Sequence, residues 1–328
     1  MHIADKRSVL TPDALAMVDA IARTGSFAGA ARELGKVPSA LTYSVRQLED
    51  AMDVLLFDRS ARHAQLTAAG QELLLEGRRL LIEIDAVANR VKRIATGWEA
   101  ELTIAADDVI ARAPLFDLIQ SFQTQQIEPC PHAPGKPAGG PEHPPTRLRL
   151  RTEVLSGTWE ALVSGQADLA IGTNSSPPGS HISCEVIGEL SFVFVIAPSH
   201  PLAALDEPLT AQQIAQHRII AVADTARQLT QMTLGVVPGQ DVLTLPTLQS
   251  KLEATLRGLG CGWLPEPMVR EPLERGLLVR KSTFDDRRIT LHYAWRVGAQ
   301  PPGKALSWWL QQLKSEATRR ALLEHHRL

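Results

Sequence analysis

The stretch that most constrains this chain is residues 38–52, PSALTYSVRQLEDAM, which carries two chemically different faces at one helical period. Leu41, Val45 and Leu48 stand at i, i+4 and i+7 and predict a buried side. Ser39, Thr42, Tyr43 and Arg46 stand at i, i+3, i+4 and i+7 and present hydroxyls, a phenol and a guanidinium on the other. Two helices are expected ahead of it. Thr11 as cap with Pro12 in the first turn starts one that ends at Thr24-Gly25. Ser26 caps a second, Phe27 to Leu34, whose Ala28, Ala30 and Ala31 permit close helix approach, and Gly35 closes it. A helix, a tight glycine turn and a helix with a polar outer face is an arrangement able to enter the major groove of DNA. There an arginine suits guanine, and hydroxyls suit several base edges.

A short strand pair is expected next, Leu55–Arg59 and Gln65–Thr67, and the loop between them reads as a wing. Arg59, Arg62 and His63 place it within reach of phosphates. Charge does not choose the partner. Between residues 23 and 67, Arg23, Arg32, Lys36, Arg46, Arg59 and Arg62 face Glu33, Glu49, Asp50, Asp53 and Asp58, a balance of +1. Three-helix units with a polar face also serve as protein-docking modules, so the pattern alone leaves both readings open.

The rest of the composition excludes more than it selects. The 328 residues suggest two or three domains, and 34 Lys+Arg against 36 Asp+Glu create no global field toward nucleic acid or membrane. No run of apolar residues is long enough to span a bilayer, and MHIADKRSVLTPDAL lacks a signal-peptide core. Cys130, Cys184 and Cys261 are too few for a disulfide framework, so the cytoplasm is the expected location.

From Thr67 to about Ala95 the chain has one long helical period, which at 1.5 Å per residue spans about 43 Å. Leu73, Gly77, Leu80, Ile84, Val87, Val91 and Ile94 follow a 3-4 repeat, the seam of a coiled coil, with Gly77 as a close contact or weak point. A helix packed on its own domain is the alternative. From residue 101 onward, β-rich runs alternate with helical ones, as in an α/β region.

The run SFAGAARELGKVPSALTYSVRQLEDAMDVLLFDRSARHAQLTAAG resembles the winged helix-turn-helix of LysR-type transcriptional regulators. The likeness lies in the Ser-Phe start, the Ala-Ala-X-X-Leu helix, Arg-X-Leu-Glu, Leu-Phe-X-Arg and Leu-Thr-X-Ala-Gly. It implies an α-helical winged helix-turn-helix domain (residues 1–66), a dimerising linker helix (67–97) and an α/β, two-lobed, periplasmic-binding-protein-like effector domain (98–328). Lobe I would take 98–172 and 277–328, and lobe II 173–276. The implied partners are double-stranded promoter DNA, a small-molecule effector, further copies of the chain as homodimer or homotetramer, and RNA polymerase. Neither a cofactor nor a metal is expected. DNA contacts are expected from Ser26, Ser39, Thr42, Tyr43, Arg46, Arg59, Arg62 and His63. Where family members often have Gln and Arg, this chain has Pro38 and Tyr43, so no base preference carries over.

In the effector half, strands are expected at Glu101–Ala106, Arg147–Val154, Asp168–Gly172, Leu190–Ala197, Arg218–Val222, Asp241–Leu245 and Ile289–Arg296. The cleft between lobes, near strand C-termini and helix N-termini, is the expected ligand site. Its candidate walls are Asp107, Asp108, Thr173, Asn174, Thr225, Arg227, Thr247, Lys251 and Trp263, with the two aspartates alternatively capping the next helix. Two acids where family members often carry Ser or Thr suggest a neutral or amine-bearing effector rather than a dicarboxylate. Residues 126–146 are too rich in Pro and Gly for regular structure and read as a surface insertion. Its Cys130, His132 and His143 lack a defined metal spacing. His325 and His326 are expected in solvent. A solute-binding protein explains only the two-lobed half. An enzyme reading finds no G-x-S-x-G, phosphate loop or H-E-x-x-H to support it.

Overall fold

The computed structural model describes residues 9–58, 64–127, 143–174, 181–285, 287–297 and 301–326, without the side chains at 86, 89, 90, 92 and 93. It divides into two compact units, Met1–Arg90 and Val91–Leu328.

The first unit begins with α1 (Pro12–Thr24), α2 (Phe27–Glu33) and α3 (Pro38–Met52). Thr11 and Ser26 cap the first two by accepting from Ala14 and Gly29, and Gly25 ends α1 in the left-handed conformation. Leu41, Val45 and Leu48 of α3 are buried against Val18, Ile21 and Ala31. The strand pair is shorter than expected, β1 (Phe57–Asp58) against antiparallel β2 (Gln65–Leu66). Glu49, counted in the sequence only among the acids and in the Arg-X-Leu-Glu motif, is buried and accepts from the backbone N–H of Leu56 and Phe57 at 2.9 and 3.3 Å. It ties the end of α3 to β1.

The Leu-Thr-X-Ala-Gly motif opens α4 (Ala68–Thr96). The Thr67 hydroxyl donates to the Leu55 carbonyl and accepts from Gly70. A Cβ on Gly70 would stand 2.1 Å from the Leu56 carbonyl oxygen, so only glycine fits. The seam needs correction at its start. Leu73 packs against the core of the first unit, and a Cβ on Gly77 would lie 3.0 Å from Leu15 Cδ2, so both belong to that unit's own packing. Leu80, Ile84, Val87, Val91 and Ile94 are exposed.

The second unit is built on one sheet. Its strands are β3 (Glu101–Asp107), β4 (Arg147–Glu153), β5 (Leu169–Thr173), β6 (Ile182–Ile196), β9 (Gly262–Pro265), β10 (Val279–Lys281) and β11 (Arg287–Arg296), with β7 (Ile219–Val222) and β8 (Val242–Leu245) as a separate parallel pair. The order is β10-β6-β11-β5-β3-β4, with β9 also on β6. β3 runs parallel to β4 and β5, as expected of strands joined by helical crossovers, here α5 (Arg112–Thr124) and α6 (Ser156–Val163). β6 starts eight residues before the expected Leu190. Its first part pairs with β11 and its last residues with β9 and β10, so one strand serves both lobes. Gly188 obscured this continuity in the sequence; a Cβ there would lie 2.8 Å from Leu323.

Two helices that periodicity did not separate, α9 (Glu266–Glu274) and α11 (Glu316–Glu324), join α7 (Ala211–Ala215), α8 (Leu248–Leu256) and α10 (Lys304–Lys314) around this sheet. The core of the second unit runs from Leu102 and Ile104 through Phe122 and Tyr293 to Trp309. His325 is exposed as expected. His326 is not, and burial lowers its imidazole pKa. Cys130 and His132 lie outside the described residues, and no group of three metal-binding side chains occurs among those described.

Candidate functional sites

The first site is the outer face of α3. Ser39, Thr42, Tyr43 and Arg46 are all exposed, Tyr43 at 64%. They share one surface because α3 buries the opposite side. The Thr42 hydroxyl donates to the Pro38 carbonyl at 3.0 Å. Gln47, which the sequence reading passed over, donates from Nε2 to the Tyr43 phenol oxygen at 3.0 Å and extends the polar face. Its position at i+4 from Tyr43 was the available signal.

Of the neighbouring cations, Arg23 pairs with Glu33 and Asp19, Lys36 with Asp13 and Arg78 with Asp19, while Arg32 has no ion pair among the described residues. Arg46 has no ion pair among the described residues, so its guanidinium keeps its five donors for a partner. The Ser26 hydroxyl is spent on capping α2 at 3.0 Å. Arg59, Arg62 and His63 lie outside the described residues.

The second site is a cavity of about 500 Å³ inside the second unit. It is walled by the C-terminal end of β3, the start of α8, β9 and the first residues of β11. Of the nine expected wall residues, Asp107, Asp108, Asn174, Lys251 and Trp263 line it. Thr173, Thr225, Arg227 and Thr247 do not, and each has a reason. The Thr173 hydroxyl donates into the sheet, to the His292 carbonyl at 3.3 Å. Thr247 caps α8 by accepting from Ser250 at 3.1 Å. The Thr225 hydroxyl donates to Glu153 at 2.7 Å and accepts from the N–H of Val154. The N–H of Arg227 goes to Glu160, with those of Gln228 and Leu229, while its side chain is exposed. Together with Asp224, which accepts from Ser156 and Gly157, these contacts clasp residues 224–229 to the start of α6.

Neither aspartate caps the next helix, whose cap position is Ala111. Asp107 accepts from Val109, Leu155 and the Thr158 hydroxyl, and burial pushes its carboxyl up to about 7. Asp108 pairs with Arg112 at 3.0 Å and accepts from the N–H of Leu248 at the start of α8.

In the first turn of α8 Lys251 is 6% exposed, and no acceptor among the described residues meets its ammonium. Burial, with Arg287 beside it, lowers the Lys251 pKa to about 8. Arg287, absent from the expected set, lies with its guanidinium carbon 3.7 Å from the centre of the Trp263 ring. The basic pair Arg287-Arg288 at the head of β11 was the signal for it, but the strand was expected to begin at Ile289.

Two family models match this chain. "Bacterial regulatory helix-turn-helix protein, lysR family" covers residues 12–71, and "LysR substrate binding domain" covers residues 141–318. A protein described as a probable HTH-type transcriptional regulator, YhaJ of Escherichia coli strain K12, is 37% identical over 94% of this chain and 97% of its own length. The HTH-type transcriptional regulator PunR of the same organism is 32% identical over 93% of each. Among solved structures, the fold is similar to the full-length Vibrio cholerae virulence activator AphB (TM-score 0.52, 17% identity, covering 93% of this chain and 98% of that one). It is also similar to ArgP from Mycobacterium tuberculosis (TM-score 0.53, 20% identity, covering 94% and 97%).

Proposed function

The chain belongs to the LysR family of transcriptional regulators, and from that membership we propose that α3 reads promoter DNA while the cavity of the second unit senses a small molecule. The observation that carries the DNA reading is the exposed face of Ser39, Tyr43, Gln47 and Arg46, with Arg46 unpaired among the described residues. Arg46 donates to a base edge, and Ser39 and Thr42 contact backbone or base. Arg59, Arg62 and His63 supply the wing's phosphate contacts.

Residues 1–66 form the DNA-binding domain, 67–97 the dimerising helix and 98–328 the effector-binding domain. Two copies pair along Leu80, Ile84, Val87, Val91 and Ile94 and present two recognition helices to a dyad-symmetric site. Pairing through the effector domains as well makes a tetramer, and RNA polymerase meets the DNA-bound form. The effector acts by binding one arrangement of the lobes better than another, since equal affinity for both shifts nothing. The protein works by binding rather than by chemistry, in the cytoplasm where its DNA lies. No helix among the described residues is long and apolar enough to cross a membrane.

The test is a gel shift on the DNA upstream of the protein's own gene. Arg46→Ala is expected to weaken specific binding by about 1–3 kcal/mol and leave binding to random duplex nearly unchanged. Equal weakening of both reassigns Arg46 to phosphate. A wild-type chain that retards no duplex at low salt overturns the reading.

A further inference from the structure

We propose that the cavity of the second unit takes an organic monocarboxylate with a largely apolar body, its carboxylate seated on the Lys251 ammonium with Arg287 alongside. This rests on the reading of that cavity as the effector site and names the chemistry it selects.

Three observations point the same way. First, Lys251 is 6% exposed on the cavity wall, and among the described residues nothing accepts a hydrogen bond from its ammonium. A buried cation without a partner is costly, and an anionic ligand removes that cost. The fold makes room for the ammonium: a Cβ on Gly262 would stand 3.1 Å from Lys251 Cε and 3.2 Å from Nζ.

Second, Arg287 is fixed next to it. Its guanidinium lies over the Trp263 ring, and Gly235 stands at the edge of both groups, where a Cβ would come 2.9 Å from Nη1 and 3.1 Å from the ring. Arg287 pairs at 3.3 Å with Asp285, whose side chain is 66% exposed, so its charge is only partly balanced toward the cavity.

Third, the two acids on the wall are already engaged. Asp107 accepts from Val109, Leu155 and Thr158, and Asp108 from Arg112 and Leu248. Neither offers a free carboxylate to an amine. On this proposal the effector is an anion, where the sequence pair Asp107-Asp108 led to the expectation of a neutral or amine-bearing molecule. Most of the remaining wall, including Val154, Leu234, Leu248, Ile289 and Leu291, is apolar and suits a hydrocarbon body, with Asn174, Thr233 and Arg288 as its other polar members.

The experiment titrates the full-length chain by calorimetry with two sets of near-isosteric probes. One set is cyclohexanecarboxylate, cyclohexanecarboxamide and cyclohexylmethylamine; the other is 3-phenylpropionate with its amide and amine. At least one carboxylate is expected to bind tenfold or more tighter than its amide and amine. Lys251→Met is expected to bring that carboxylate down to the affinity of the amide and leave the amide unchanged. Gly262→Ala, which presses on Nζ without removing the charge, is expected to weaken the carboxylate alone, so the proposal stays testable if Lys251→Met does not fold. Amines or amides binding as tightly as carboxylates, Lys251→Met retaining the preference, or no carboxylate binding at all would each overturn it. A gel shift on the same preparations separates the two readings. DNA retarded without any carboxylate preference sinks this inference alone, whereas carboxylate preference without DNA binding sinks the regulator reading alone.

Discussion

The guanidinium of Arg287 lies over the ring of Trp263, 3.7 Å from its centre, and Gly235 stands at the edge of both groups. Gly235 holds φ +79, a conformation that side-chain-bearing residues rarely adopt, and a Cβ there would also come within 3.1 Å of the Trp263 ring. Gly235→Ala combines backbone strain with overpacking, and a loss of about 1–3 kcal/mol is expected in urea unfolding. Carboxylate binding should weaken along with it. A variant as stable as wild type would mean that Arg287 and Trp263 yield freely to the added methyl group.

Glu49 makes a second, independent prediction. It is buried, and its carboxylate takes the N–H groups of Leu56 and Phe57. Glu49→Ala strands those donors, whereas Glu49→Gln keeps one acceptor oxygen. Glu49→Ala is expected to be less stable than Glu49→Gln by about 1–3 kcal/mol in urea unfolding. Equal stability of the two would show that water reaches the freed groups.

Along α4 the prediction separates association from folding. Ile84 and Val91 are 45% and 62% exposed, so charges there meet no packing within the chain. Ile84→Glu combined with Val91→Glu is expected to break the helix-to-helix contact and halve the sedimenting mass, from tetramer to a dimer joined through the effector domains or from dimer to single chain, with unchanged helicity, because like charges would face each other across the seam. Leu73→Ala is expected to lower stability and leave association intact, since Leu73 packs inside its own unit. A double glutamate variant that sediments at the mass of the wild type would place the interface elsewhere.

Lys251 sets a pH dependence. Its pKa falls from 10.5 to about 8 in the fold, through burial and then the charge of Arg287 on β11, with the Cys261 thiol pushed up to about 12 and neutral nearby. Between pH 8 and 10.5 the unfolded chain holds a proton that the native chain has released, so this group makes the free protein more stable as pH rises through that window. Carboxylate binding runs the other way. It needs the ammonium, and calorimetry is expected to show affinity for 3-phenylpropionate falling about tenfold from pH 7 to pH 9. Lys251→Arg, which keeps its charge, should lose most of that fall and retain only the smaller part that comes from ionisation of Asp107, whose carboxyl is raised to about 7 on the same cavity wall. A wild-type affinity that is flat over this range would remove Lys251 from the binding step.

What the sequence determined by itself is what short-range physics controls. The caps at Thr11 and Ser26, the buried line Leu41-Val45-Leu48 and the exposed line Ser39-Tyr43-Arg46 depend on residues within two turns of each other, so one helical period fixes them. The tertiary structure decided everything that depends on which distant segment arrives. Thr225 turned from the cavity because Glu153 and Val154 meet it across more than 70 residues, and Asp108 closes on Leu248 across 140. Arg287 entered because the register of β11 brings it beside β9, where Trp263 lies. A side chain's residue type states what it can bond, but only the packed chain determines which partner claims it first and therefore which charges are left for a ligand.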